Sequence, residues 1–108
     1  MKILPYSRQY IDKNDINAVV RVMKSDFLTQ GPNVEIFEKK LAKKVGSKHA
    51  VAVNSATSAL HLACMSLGII KKDLVWTSAN SFVASINCAK YLGAKVDFID
   101  IDKNTYNI

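Results

Sequence analysis

The sequence predicts an α/β fold, in a three-layer α/β/α arrangement whose helices cover a mostly parallel sheet. Short β-rich runs alternate with helical segments at roughly 56–67 and 80–92, and Gly68 and Gly93 close these segments. The β-rich runs are "HAVAV" (49–53), "LVWTS" (74–78) and "KVDFIDI" (95–101). A helix of about a dozen residues between two strands returns the chain to the same end of the sheet, so we expect parallel strands.

Two amphipathic helices are expected before the first strand. Over 14–25, apolar residues recur at helical spacing after a possible Asn14 cap, and they are Ile16, Val19, Val20 and Met23. The second helix, 32–45, has Pro32 in its first turn. It ends at Gly46, a position typical of a left-handed C-terminal cap.

Length and composition indicate a globular chain. Its 108 residues make one domain or part of one, and 49% apolar residues are enough for a packed core. The formal charge of +6 would suit an anionic partner. The lysines of 38–48, however, fall where a helix turns outward, and no aromatic residues interleave them. A solvated helix face explains them without nucleic acid, and a phosphate-tracking surface is the alternative.

The cysteines and the first ten residues indicate the cellular compartment of the protein. Cys64 and Cys88 have neither metal-binding nor redox spacing, so we expect buried free thiols in a reducing cytoplasm and no metal site. The stretch "MKILPYSRQY" is broken by Pro5 and is too short for the apolar region of a signal peptide. No run of about 18 apolar residues occurs. We therefore expect a cytoplasmic protein that does not enter the membrane.

The turn "NSATSALH" (54–61) joins the first predicted strand to the helix that follows it. The N-terminus of a helix presents unpaired N–H groups and a partial positive charge, which attract phosphate or carboxylate. Small and hydroxylated residues there, Ser55, Ala56, Thr57 and Ser58, would let an anion approach. Simple capping by Ser55 or Thr57 is the alternative. His61 either donates toward this turn or packs in the core.

The second turn, "WTSANSFVAS" (76–85), has a similar character. Ser78 and Asn80 are possible caps of the next helix, and Phe82 is expected in its first turn. An aromatic ring at the carboxyl edge of the sheet can stack on a flat ligand ring, although a core position is the alternative.

Two features indicate that the chain forms the front portion of a larger domain. The helix 56–67 is apolar on nearly all sides, so we expect burial against more than one layer. The sequence ends shortly after the third strand, which leaves few strands and unpaired edges.

Four segments resemble the N-terminal part of one family. They are "LTQGP" (28–32), "HAVAVNSATSALHLA" (49–63), "VWTSANSFVASINCA" (75–89) and "GAKVDFIDIDKNTYN" (93–107). In this order and spacing they resemble the pyridoxal-phosphate-dependent nucleotide-sugar aminotransferases of the DegT/StrS family. The residues of the last two segments are most similar to those of family members that act in pseudaminic acid biosynthesis.

This resemblance implies a fold-type I, aspartate aminotransferase-like transferase. It would be a homodimer with sites at the subunit interface, transferring an amino group from L-glutamate to the C4 keto group of a UDP-linked deoxy-sugar. The turn Ala56, Thr57 and Ser58 would bind the phosphate of pyridoxal phosphate, and Phe82 would stack on its ring. Tyr6 and Thr29 would lie near the sugar nucleotide.

The resemblance also implies that the catalytic lysine and the carboxylate that pairs with the pyridine nitrogen lie downstream. Residues 1–108 would then be an N-terminal segment plus the first part of the large cofactor-binding domain, inactive alone. A non-catalytic or regulatory protein of this fold and a standalone phosphate-binding module are the alternatives.

Overall fold

The computed structural model describes residues 3–108. They form two compact units, the first ending at Ala52 and the second beginning at Val53. Each unit is described by itself.

The first unit contains two helices, α1 (Lys13–Met23) and α2 (Pro32–Val45). The cap of α1 is Asp12, so the expectation of an Asn14 cap is wrong. The Asp12 carboxylate accepts the N–H groups of Asn14 at 2.7 Å and Asp15 at 3.0 Å, while the Asp15 carboxylate accepts the Asp12 N–H at 3.0 Å. This reciprocal capping box satisfies two helix-end donors and one preceding donor, which a cap at Asn14 would leave unpaired.

Helix α2 confirms the predicted bounds. Pro32 lies in its first turn, and Gly46 ends it with a left-handed φ of 70°. Its lysines are exposed, and Lys39 pairs with Glu35 one turn earlier, which fits a solvated face.

Residues 49–53 form no strand, so the first predicted strand is wrong for this chain. A strand needs a neighbouring strand to accept and donate its backbone hydrogen bonds, and none of residues 3–108 pairs with this segment. Within the first unit, a side chain takes one of these donors instead: Glu38 Oε1 accepts the Ala52 N–H at 2.8 Å.

The second unit contains α3 (Ala56–Ser66), β1 (Leu74–Ser78), α4 (Ala84–Lys90) and β2 (Lys95–Ile99). The two strands are parallel, in a register that pairs Leu74 with Lys95 and Ser78 with Ile99. Helix α4 connects them and contacts both, and α3 packs on α4. The predicted strand–helix–strand order and parallel pairing are confirmed here.

Two boundaries differ from the prediction. Helix α4 begins at Ala84 rather than near residue 80, because the Ser78 hydroxyl accepts the Asn80 N–H at 3.1 Å and holds the chain in a turn. Neither residue caps the helix. Strand β2 ends at Ile99 rather than at 101, since the side chain of Asp100 accepts the next backbone N–H.

Only small side chains are buried in the described residues. The buried apolar residues are Ala42, Ala84, Cys88, Ala89 and Ala94. In the sheet, Thr77 is buried whereas Trp76, on the opposite face, is 64% exposed, so α4 covers the Thr77 face. The expected burial of α3 on several sides is not found, because within residues 3–108 its one packed neighbour is α4. Within the same residues, no helix is both long and apolar enough to cross a membrane.

We predict that the 108-residue chain by itself melts broadly and binds hydrophobic dyes. Its buried side chains are small and most of its large apolar ones are exposed, so little hydrophobic free energy opposes chain entropy. Circular dichroism and calorimetry test this expectation. A single sharp transition with equal calorimetric and van't Hoff enthalpies would contradict it.

Candidate functional site

The first turn of α3 is capped by Ser55. The backbone of this residue is extended, with φ −159° and ψ 157°, and its Oγ accepts the Ser58 N–H at 3.2 Å. Its carbonyl oxygen accepts the Ala59 N–H at 3.0 Å, which begins the helical ladder. Of the two alternatives for the cap, Ser55 is confirmed, and Thr57 lies inside the helix.

Asn54 is the residue at this turn that the sequence argument missed. The Ser58 hydroxyl donates to Asn54 Oδ1 at 2.8 Å and also lies 3.0 Å from Ser55 Oγ. An amide four residues before a serine, at the entry to a helix, is the pattern that could have indicated it.

The same turn carries donors without a partner. Within residues 3–108, the backbone N–H groups of Ala56 and Thr57 have no hydrogen-bond acceptor. The Thr57 hydroxyl has no hydrogen-bond partner there either. The side chain of Thr57 is half-buried, that of Ala56 is exposed, and no acidic residue lies in this first turn. Three donors at the positive end of an 11-residue helix match the needs of an oxyanion.

Phe82 lies in the loop between β1 and α4, in the same unit as this turn. It precedes α4 instead of lying in its first turn, and its ring is 74% exposed. The core alternative is therefore wrong for the described chain. The ring is accessible for stacking, on a loop that follows the carboxyl end of a parallel strand.

Tyr6 and Thr29 belong to the first unit, and both are exposed. Thr29 lies in a tight bend whose next residue, Gln30, has a left-handed φ of 49°. Gly31 permits this bend, because a Cβ there would lie 2.6 Å from the Cβ of Phe27. A cavity of about 520 Å³ opens beside the bend and is lined in part by Phe27, Gln30 and Gly31, without Thr29.

The second unit also contains one histidine and two cysteines. His61 packs edge-on against Tyr91, with ring centroids 5.2 Å apart, which favours the packing interpretation. Cys64 and Cys88 are free thiols; Cys88 is buried as expected, whereas Cys64 is only half-buried. The Cys88 Sγ donates to the Ser85 carbonyl at 3.3 Å. Burial, and then the neighbouring Cys88, raises the pKa of Cys64, so this thiol stays protonated at neutral pH.

Asp102 closes a turn near the end of the chain. Its Oδ1 accepts the N–H groups of Asn104 at 2.9 Å and Thr105 at 2.8 Å. The N–H of Thr105 and then that of Asn104 hold the pKa of Asp102 below its ordinary value of 3.8. These two hydrogen bonds give the Asp102 carboxylate a structural role in the turn, which requires no ligand.

The model of the DegT/DnrJ/EryC1/StrS aminotransferase family matches residues 9–108. The chain is 49% identical over 106 residues to the UDP-4-amino-4,6-dideoxy-N-acetyl-beta-L-altrosamine transaminase of Campylobacter jejuni, covering 98% of this chain and 28% of that protein. It is 48% identical over 105 residues to the spore coat polysaccharide biosynthesis protein SpsC of Bacillus subtilis, covering 97% of this chain and 27% of that protein.

Solved structures of other proteins also match this chain. The Streptococcus pneumoniae protein Spr1654 in its PLP form matches with a TM-score of 0.86 and 30% identity, over 95% of this chain and 26% of that one. A 3-amino-5-hydroxybenzoic acid synthase matches with a TM-score of 0.83 and 34% identity, over 96% and 27%. These structures confirm the predicted fold class. The chain spans 28% or less of the length of these curated relatives.

We predict that acid weakens the turn 102–107. The folded pKa of Asp102 is lowered, so its stabilising contribution is complete above the ordinary pKa and is lost as pH falls through the folded value. A carboxyl-carbon NMR titration measures this pKa, and Asp102→Asn assigns the signal by removing it. A midpoint at or above 3.8 would contradict the expectation.

Proposed function

The chain belongs to the DegT/DnrJ/EryC1/StrS aminotransferase family, and on this premise we propose that it is the N-terminal part of a pyridoxal-phosphate-dependent nucleotide-sugar aminotransferase. Residues 1–108 would supply the N-terminal segment and the first part of the large cofactor-binding domain. The observation that carries the proposal is the set of unpaired donors at the start of α3, in a chain whose relatives include an aminotransferase in its PLP form.

The phosphate of the cofactor is assigned to the first turn of α3. The N–H groups of Ala56 and Thr57 and the Thr57 hydroxyl would donate to the phosphate oxygens, and the helix dipole adds attraction. Ser58 places a second hydroxyl beside them. Charge-assisted hydrogen bonds of this kind are about twice as strong as neutral ones, so the turn would anchor the cofactor firmly.

Phe82 is assigned to the cofactor ring. Its exposed side chain lies on a separate loop of the same unit, where a flat aromatic ligand could stack on it and have its plane fixed. When bound, pyridoxal phosphate supplies the electron sink for amino-group transfer. The contribution of these residues is to bind and orient it, and the lysine that carries the cofactor is expected downstream, so the 108 residues alone would be inactive.

The substrates are assigned from the relatives. The Campylobacter jejuni relative is named as a transaminase of a UDP-linked amino-dideoxy sugar. We propose that the whole protein likewise uses L-glutamate to aminate the C4 keto group of a UDP-linked deoxy-sugar for a surface glycan such as pseudaminic acid. Tyr6 and Thr29 are proposed to contact the sugar nucleotide, in a homodimer with sites at the subunit interface. The two free thiols fit a cytoplasmic location.

We predict that Thr57→Val in the whole protein weakens pyridoxal phosphate binding at least tenfold. The substitution keeps the side-chain shape and removes one hydrogen bond to a charged group. Absorbance titration of the apoprotein measures the dissociation constant. Ser66→Ala is the matched control, because Ser66 is a hydroxyl at the other end of α3, bonded to the Ala63 carbonyl. Equal affinity in Thr57→Val and the unmodified protein would overturn the phosphate assignment.

We predict that the whole protein converts glutamate and a UDP-4-keto-6-deoxy sugar to 2-oxoglutarate and the amino sugar, whereas the 108-residue chain does not. Mass spectrometry of the sugar nucleotide and a coupled assay of 2-oxoglutarate measure both products. Cofactor binding without turnover on any 4-keto nucleotide sugar would favour the regulatory alternative.

A further inference from the structure

Cys64 lies on the face of α3 that packs against α4. The half-buried residues Thr57, His61 and Cys64 follow one another at intervals of four and three positions, so they form one stripe along α3. The residues beside this stripe, such as Leu62 and Ala63, are exposed. Because α3 packs on α4 in the described chain, the stripe that carries Cys64 is the side of α3 that meets α4.

Cys88 lies on the matching face of α4. His61 contacts Tyr91, the residue that ends α4, with ring centroids 5.2 Å apart. Cys64 lies three positions after His61 and Cys88 three positions before Tyr91, so each cysteine is the helical neighbour of one ring of this pair. After burial, the Cys88 thiol also raises the pKa of Cys64, an effect that requires the two thiols to be neighbours.

We propose that Cys64 and Cys88 are a peroxide-sensitive thiol pair that closes to a disulfide between α3 and α4. A disulfide needs Cα atoms about 4.4–6.8 Å apart. The buried side chains of α4 are Ala84, Cys88 and Ala89, and side chains this small let the two helices approach closely. The inference is independent of the proposed function, since it concerns thiol chemistry inside one helix contact.

Cys64 is the thiol that meets the oxidant, because it is half-buried whereas Cys88 is only 4% exposed. The Cys64 thiolate attacks one oxygen of hydrogen peroxide, and the O–O bond breaks. This step leaves a sulfenic acid on Cys64 and releases hydroxide, which the proton lost by the thiol converts to water. Cys88 Sγ then attacks the Cys64 sulfur, so the S–S bond forms, the S–O bond breaks, and the hydroxyl leaves as water with the Cys88 proton. The two sulfurs lose two electrons together, and one peroxide becomes two waters.

The two steps differ in speed. Only the thiolate attacks peroxide, so the raised pKa of Cys64 makes the first step slow. The second step joins groups that already lie side by side, so it is fast by comparison. We therefore expect the disulfide to form before the sulfenic acid is oxidised further, and small thiols to reverse it.

The test is peptide mapping of the whole protein after treatment with hydrogen peroxide and alkylation of the remaining thiols. Trypsin cleaves after lysine, which places Cys64 in the peptide 49–71 and Cys88 in the peptide 73–90. We expect most molecules to give these peptides joined, with a mass two hydrogen atoms below their sum. Dithiothreitol should separate them again.

The variant Cys88→Ser removes the second step and keeps a donor for the Ser85 carbonyl. We expect it to give no joined peptide and to accumulate a sulfenic acid on Cys64 that dimedone traps. Cys64→Ser is the matched control, and we expect its buried Cys88 to stay unmodified. The inference is overturned if the unmodified protein gives no joined peptide, whether Cys64 stays reduced or proceeds to sulfinic acid. A joined peptide that appears only after unfolding in guanidinium would overturn it as well.

Discussion

Close packing of α4 is the constraint on which the second unit depends. The helix connects β1 to β2 and contacts both, and its inward side chains are alanine and cysteine. Small side chains let the helix axis approach the sheet and let α3 pack on its other side. The His61–Tyr91 edge contact adds an aromatic pair between α3 and the residue that ends α4. Because α4 contacts both parallel strands and also α3, it joins the hydrogen-bonded strand pair to α3 within this unit.

The chemistry of the candidate site follows from how α3 begins. The Ser55 hydroxyl caps the helix by accepting the Ser58 N–H, and the Ser58 hydroxyl donates to Asn54 Oδ1. The donors that remain are the backbone N–H groups of Ala56 and Thr57, which a helix end cannot satisfy by itself, and the Thr57 hydroxyl. A turn that looked in sequence like four equivalent small residues is therefore divided into residues that build the helix end and residues that can hold an anion.

Particular elements show why some sequence predictions held and others did not. The bounds of α2 were predictable because Pro32 and Gly46 restrict the backbone locally. The cap of α1 was misassigned, since Asp12 and Asn14 are both good caps and only the partnership with Asp15 distinguishes them. The segment 49–53 has the residues of a strand, but strand formation also requires a partner, which the described residues do not provide. Likewise, the apolar surface of α3 is a local property, whereas its burial depends on neighbours.

By itself, the sequence determined the helices with strong end signals, the parallel strand–helix–strand unit and the family resemblance, because propensity, spacing and motif order are written along the chain. It also identified the first turn of α3 as a place where an anion could bind. Only the tertiary structure decided which of its hydroxyls is available, since hydrogen bonds among Asn54, Ser55 and Ser58 depend on where each side chain points. It also decided that Phe82 is exposed on a loop, because a hydrogen bond from Asn80 to Ser78 holds the chain in a turn and delays the start of α4.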